Sequence, residues 1–116
     1  MAIEMRASQA MRLLHGFALA QVHDDAPDLS QRQLAVLLTV YLESPPHTVR
    51  ALAARLGVTK PVITRALDTM GALKLVSRRR DDADRRNVVI QRTVEGALYL
   101  EHLGDLMVAT AKALPR

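Results

Sequence analysis

The fold is decided by the stretch Val49-Arg50-Ala51-Leu52-Ala53-Ala54-Arg55-Leu56-Gly57-Val58-Thr59-Lys60-Pro61-Val62-Ile63-Thr64-Arg65-Ala66-Leu67. Two short helices that meet at a steep angle need a small residue where they touch, and Ala53 supplies it. The turn between them needs a residue free to adopt positive φ, and Gly57 is that residue. Thr48 and Thr59 stand as N-caps, while Pro61 falls in a first helical turn, where a missing N–H costs little. Leu52, Leu56, Val58, Ile63 and Leu67 form the buried side of the pair. Left outward on the second helix are Lys60, Pro61, Thr64, Arg65 and Asp68. Cation, hydroxyl and helix-terminal amides together suit phosphates, with Arg65 one turn further on for a base edge. The pattern predicts a helix–turn–helix. A plain αα-corner shares the buried spacing but has no need of a polar, basic second helix.

The second helix is expected to run to about Lys74. Beyond it lie two runs rich in arginine and β-branched residues, Leu75–Arg80 and Arg85–Arg92, flanking Asp81-Asp82-Ala83-Asp84. Val88 and Ile90 alternate with Val89 as in a short strand, so the runs predict a hairpin. Arg78, Arg79, Arg80, Arg85 and Arg86 would repel one another on one ribbon without the carboxylates between them. A helix–turn–helix followed at once by a basic hairpin is the winged-helix arrangement, and a wing-tip arginine suits a narrow minor groove. The competing view of any one arginine is a salt-bridge partner on a solvated hairpin.

Helical periodicity continues on both sides. Ile3, Ala7, Ala10, Leu14 and Phe17 form one stripe, widened by Met11 and Ala18, which predicts a helix from Ile3 to about Val22. Ser30 caps a helix through Leu34, Leu37, Leu38 and Tyr41, which Ser44-Pro45-Pro46-His47 stops. Thr93 caps a last helix to about Leu114, with Leu100, Leu103, Met107 and Leu114 on one side. The expected fold class is mainly α with a small β-hairpin. It comprises one domain over residues 1–116, with a nucleic-acid-binding lobe at 29–92 between helices at 1–23 and 93–116.

Charge separates the same regions. Residues 1–47 carry three basic and five acidic groups, and residues 93–116 carry two and three. Residues 48–92 carry eleven basic groups against four acidic ones, a local net charge of +7 within a total of +4. Nine of the eleven are arginine, whose planar fork suits phosphates and guanine edges. A polyanion is drawn to such a block, although a solvated basic surface would show the same clustering.

From Leu29 to Leu103 the chain resembles the multiple-antibiotic-resistance regulator (MarR) family of bacterial winged-helix proteins. The resemblance rests on Leu56-Gly57-Val58-Thr59 entering the second helix and Leu73-Lys74-Leu75-Val76-Ser77-Arg78 leaving it. Asp84-Arg85-Arg86 in the wing and Thr93-Val94-Glu95-Gly96 after it complete the match. It implies a homodimer on a pseudo-palindromic duplex, acting as a transcriptional regulator and expected to repress. One recognition helix would enter each major-groove half-site, and one wing each flanking minor groove. Carried over, Thr59, Lys60, Thr64 and Arg65 face the major groove, and Arg86 is the minor-groove arginine with Asp84 its orienting partner. Arg85 is the weaker candidate; Thr48, Pro61, Arg78 and Arg80 complete the set of candidate DNA contacts. Family members usually continue through a further helix, so the dimer here is expected to rest on Ile3, Ala7, Ala10, Met11, Leu14 and Phe17. From the last helix, Leu100, Leu103, Met107 and Leu114 would join them. Arg92 stands where the family pattern has an apolar residue, and is expected to point outward and extend the basic surface.

Other chemistries find little support. Without cysteine, disulfides, thiolate metal sites and thiol sensing are excluded. His15, His23, His47 and His102 lack metal-ligand spacing, and a meeting of His15 with His102 across dimer helices is a minor expectation. No nucleophile–base pair, phosphate-cradling glycine loop or carboxylate pair suggests an enzyme, and no cofactor is implied. Relatives bind small effectors, but three aromatic residues offer little to build such a pocket. Apolar runs are too short to span a bilayer, and the N-terminus lacks a signal-peptide stretch, so the cytoplasm is expected. The alternatives to a sequence-specific regulator are a winged-helix docking module for proteins and an architectural DNA binder without sequence preference.

Overall fold

The computed structural model describes residues 2–115. The elements run α1 (Ala7–His23), α2 (Gln31–Leu42), β1 (His47–Thr48), α3 (Val49–Leu56), α4 (Lys60–Ala72), β2 (Val76–Arg80), β3 (Val88–Arg92) and α5 (Val94–Lys112). They form two compact units, Leu29–Tyr99 and Met1–Asp28 with Leu100–Arg116. The architecture is a winged helix–turn–helix.

In the larger unit α2 and α3 begin where a side chain meets their orphan amides. Ser30 Oγ accepts from the Gln33 N–H at 3.2 Å while Gln33 Oε1 accepts from the Ser30 N–H at 2.8 Å, a reciprocal box that starts α2. Thr48 Oγ1 accepts from the Ala51 N–H at 3.0 Å and starts α3. Gly57 then takes φ 68°, in the left-handed region, and α3 ends. Ala53 is buried on α3, which packs on α4. Leu37, Leu52, Ile63, Leu67, Met70, Val36 and Val40 are fully buried side chains from these three helices. Burial of an aliphatic side chain contributes about 1.5–3 kcal/mol, so this core carries the lobe.

α4 stops at Ala72, two residues short of the expected end. Lys74 takes φ 63°, an uncommon conformation outside glycine. Its N–H bonds to the Gly71 carbonyl at 3.0 Å, and the Leu75 N–H reaches the Met70 carbonyl at 2.9 Å. The reversal sends Leu75 and Val76 directly into the core, where both are buried.

β2 and β3 pair antiparallel from Val76↔Arg92 to Arg80↔Val88. Two features depart from expectation. β3 begins at Val88 rather than Arg85, because the preceding residues are held in the turn: the Arg86 N–H donates to Asp84 Oδ1 at 3.1 Å and the Asn87 N–H to the Asp84 carbonyl at 2.9 Å. A third strand is also present, since His47 and Thr48 pair with Ile90 and Val89, giving the order β1-β3-β2. His47 is buried there, with Nε2 3.1 Å from the Glu43 carbonyl oxygen.

Arg92 does not extend the basic surface. Its Nε donates to the Val40 carbonyl at 2.8 Å and its Nη2 to the Glu43 carbonyl at 3.1 Å, and the guanidinium lies 5.9 Å from the Tyr41 ring centroid. A cation at the C-terminus of α2 satisfies carbonyls that the helix leaves without partners.

In the smaller unit α1 begins at Ala7, so Ile3 lies ahead of the helix and is 87% exposed. The Arg6 N–H donates to Gln9 Oε1 at 2.9 Å, and this contact fixes the start. A Cβ placed on Gly16 would lie 2.7 Å from Thr110 Cγ2, so α1 and α5 approach closely here and a larger residue would force the Thr110 side chain to shift. Phe17 is already buried in the single chain at 8%, whereas Met11 and Leu14 are 60% and 57% exposed. Ala10, Leu100, Leu103 and Leu114 are half-buried and Ala7 and Met107 exposed. His102 Nε2 lies 2.8 Å from Asp24 Oδ2, a partner within its own chain in place of His15.

Candidate nucleic-acid interface

The outer face of α4 follows from its inner one. With Ile63, Ala66, Leu67 and Met70 turned into the core, Lys60, Pro61, Thr64, Arg65 and Asp68 are left exposed. Thr59 holds the N-cap position but, unlike Thr48, makes no side-chain capping bond. The Val62 and Ile63 N–H groups bond to the Thr59 carbonyl at 3.2 and 3.3 Å and Pro61 has no N–H, so what this helix end offers outward is the partial positive charge of its dipole.

The wing tip is organised by one carboxylate. Asp84 accepts from Arg86 Nε at 3.1 Å and Nη2 at 3.2 Å, a two-point fork, and Oδ1 also accepts the Arg86 backbone N–H. The Arg86 side-chain bonds, then its backbone bond, hold the Asp84 carboxyl below the usual carboxylate range, with a smaller contribution from Arg50. Arg86 itself remains 90% exposed. The other arginines are placed differently. Arg80 Nη1 donates to the Arg85 carbonyl at 3.1 Å, and Arg85 is exposed beside it. Arg78 Nη1 lies 2.8 Å from Asp68 Oδ1, which ties the base of the wing to α4. Asp68, outward as expected, thus fixes the wing's position relative to the helix.

A cleft of about 180 Å³ brings the two halves together. Thr48 and Arg50 line it from the start of α3, Lys60 and Thr64 from α4, and Arg86 and Asn87 from the wing. Three cations and two hydroxyls thus surround one depression with no carboxylate in its lining. A second depression joins Arg65 to Ser30 and Arg32 at the start of α2. Arg50, Arg32 and Asn87 escaped the sequence reading. Arg50 lies within the basic block, so charge alone marked it; Arg32 and Asn87 carry no such signal.

The family model of the MarR family matches residues 27–87, more than half of the chain. The chain belongs to the MarR family. Solved structures agree on the fold. A transcriptional regulator of Thermotoga maritima, Tm0710, is 22% identical with a TM-score of 0.71, covering 89% of this chain and 69% of its own. A mutant of MepR from S. aureus is 23% identical, again at 0.71, covering 90% and 74%. The transcriptional repressor CouR, bound to a 23-mer DNA duplex, is 24% identical at 0.69, covering 90% and 71%. No curated protein sequence matches significantly. MarR proteins are transcription regulators rather than enzymes. Among the described residues, no helix is long and apolar enough to cross a membrane, and no group of three acidic, histidine or cysteine side chains is arranged to hold a metal ion.

Proposed function

We propose that this MarR protein is a sequence-specific double-stranded DNA-binding regulator, a repressor acting as a homodimer on a pseudo-palindromic operator. The observation that carries the reading is the cleft in which Lys60 and Thr64 of α4 face Arg50 and the Asp84-held Arg86. An arginine already braced on a carboxylate beside a basic helix N-terminus suits a phosphate ridge flanked by two grooves. α4 enters the major groove with Thr59, Lys60, Pro61, Thr64 and Arg65, and Arg86 enters the minor groove. Thr48, Arg80 and Arg85 meet the backbone, and Arg78 holds the wing through Asp68. The likeness to a DNA-bound repressor, CouR, supports duplex DNA as the partner. The exposed stripe Ala7, Met11, Leu14, Ala18 and Val22 of α1 supports pairing with a second copy, which Leu100, Leu103, Met107 and Leu114 would extend. The site of action is the cytoplasm, where such operators lie.

Selection of duplex fragments by the purified protein at near-physiological salt tests the reading. The expected result is an enriched inverted repeat with half-site centres about one helical turn apart. Arg86→Ala should weaken binding to it by about 1–3 kcal/mol. Recovery of DNA without a shared sequence would favour an architectural binder, and recovery of none a protein-docking module.

A further inference from the structure

With one side of α4 turned into the core of the lobe, a basic depression lies on each of its two flanks. At about 100° per residue, Lys60 and Thr64 mark one flank, and Val62, Arg65, Ala66 and Thr69 are centred about 170° round the axis from them. Pro61 and Asp68, the most outward positions, stand midway between. The first flank holds the cleft with Arg50 and Arg86. The second holds a depression of about 220 Å³ that Ser30 and Arg32, at the start of α2, line together with Arg65 and Thr69, with no carboxylate among its lining residues.

Arg32 has no evident task inside the fold. It is exposed in the first turn of α2, where a cation opposes the helix dipole. Arg55, Arg78 and Arg86 are held by Glu43, Asp68 and Asp84, and Arg92 by carbonyls of α2. Among the described residues, neither the Arg32 nor the Arg65 guanidinium has a hydrogen-bond or ion-pair partner. Two like charges thus line one depression, and an anion between them turns their repulsion into attraction. Ser30 Oγ accepts from the Gln33 N–H and keeps its own hydrogen for an outside acceptor.

We propose that Arg32, with Ser30 and Arg65 beside it, holds a phosphate on the DNA strand opposite the one met by the Arg50–Arg86 cleft; this rests on the duplex-binding reading above. The major groove is about 12 Å wide and a helix with its side chains about 10–12 Å across, so a helix seated there brings both flanks against sugar–phosphate walls. The two walls belong to different strands. Cations on one flank alone would draw α4 to one wall, and cations on both centre it. Arg32 therefore contributes affinity and placement and reads no base.

The test compares the unmodified full chain with Arg32→Gln and Arg32→Lys on the duplex recovered by selection and on a duplex of unrelated sequence, over a range of salt concentrations. Arg32→Gln should bind both duplexes about tenfold more weakly at near-physiological salt, and the slope of log affinity against log salt should fall by about one for each copy bound. Arg32→Lys should keep the slope, and the sequences selected should stay the same in both variants. Neutral methylphosphonates placed one at a time locate the contact: one position in each half-site should weaken the unmodified protein and leave Arg32→Gln unaffected. An unchanged salt slope in Arg32→Gln overturns the proposal while leaving the operator reading in place. So does a changed sequence preference, which would make Arg32 a base-reading residue, or a lowered melting temperature, which would mark a structural role. Failure of the unmodified protein to bind either duplex overturns the DNA reading itself and this inference with it.

Discussion

The lobe Leu29–Tyr99 and the unit formed by Met1–Asp28 with Leu100–Arg116 are built from similar residues and treat water oppositely. In the lobe, the inward side chains of α2, α3 and α4, from Val36 to Met70, leave water completely and the outer face of α4 carries Lys60 and Arg65, with Leu42, Val94 and Leu98 as exposed apolar exceptions. In the other unit Phe17 is the one side chain so deeply buried among the described residues, while Met11, Leu14 and Val22 face outward. A folded unit that has used its apolar surface internally is left with charge for recognition. One that has not is left with a face suited to another protein surface.

The largest effect expected from testing this contrast is in the lobe core. Leu67→Ala should destabilise the chain by about 3–5 kcal/mol in urea titrations, because the side chain is fully buried and its loss leaves a cavity. Leu14→Lys, in the other unit, should leave the lobe folded but raise the dimer dissociation constant by about a hundredfold in sedimentation equilibrium. Leu14 is about half exposed, so each copy would lose about half of a full leucine burial, roughly 1–1.5 kcal/mol. A monomer at all concentrations in the unmodified chain would remove the reason for the open face. Gly57→Ala should cost about 1–2 kcal/mol, and the cost is one of backbone conformation, since no atom lies within 4 Å of the new methyl. Gly104→Ala has equally open space in the single chain, and its φ is unstrained. It should stabilise α5 by about 0.5–1 kcal/mol unless a second copy packs close against it, so its sign reports on the face.

The smallest effect is electrostatic. Glu43 accepts from Arg55 Nε and Nη2, both at 3.0 Å, and these bonds hold its carboxyl below the ordinary value. A depressed carboxylate adds stability above its unfolded pKa that is lost as pH falls through the folded one. Any melting difference between the unmodified chain and Glu43→Gln should therefore disappear between about pH 5 and pH 3. A difference that persists below that range would assign the effect to packing instead. Both groups are exposed, so the effect is small even at neutral pH.

Much of the lobe was legible in its sequence because its signals are local. Ser30, Thr48 and Thr93 cap helices within three residues of themselves, Gly57 takes the positive φ its turn requires, and the apolar spacing of α4 fixes its outer face. What escaped depends on distant partners. Arg92 meets carbonyls of α2 about fifty positions earlier, and β1 exists only because His47 and Thr48 lie beside β3. Asp68 reads as a solvent-facing acid until Arg78 is placed next to it. Lys74 shows the opposite failure: its left-handed conformation has no glycine to announce it, and it is held by the burial of the residues that follow. At the site, Thr59, Lys60, Thr64 and Arg65 follow from helix periodicity, whereas Arg50 joins the cleft only through the folding of α3 against the wing.

The fork between Arg86 and Asp84 has a consequence for the cost of recognition. A long, exposed arginine ordinarily samples many rotamers, and whatever it binds must freeze them. Here the Nε and one Nη2 hydrogen are already committed to a carboxylate on the same turn, while the Nη1 edge still points away from that partner. The side chain is ordered before anything arrives, and the donors that remain form a rigid, ready-aimed end. Removing that carboxylate, as in Asp84→Ala, would leave the Arg86 charge in place but make every encounter carry the full entropy of arranging it.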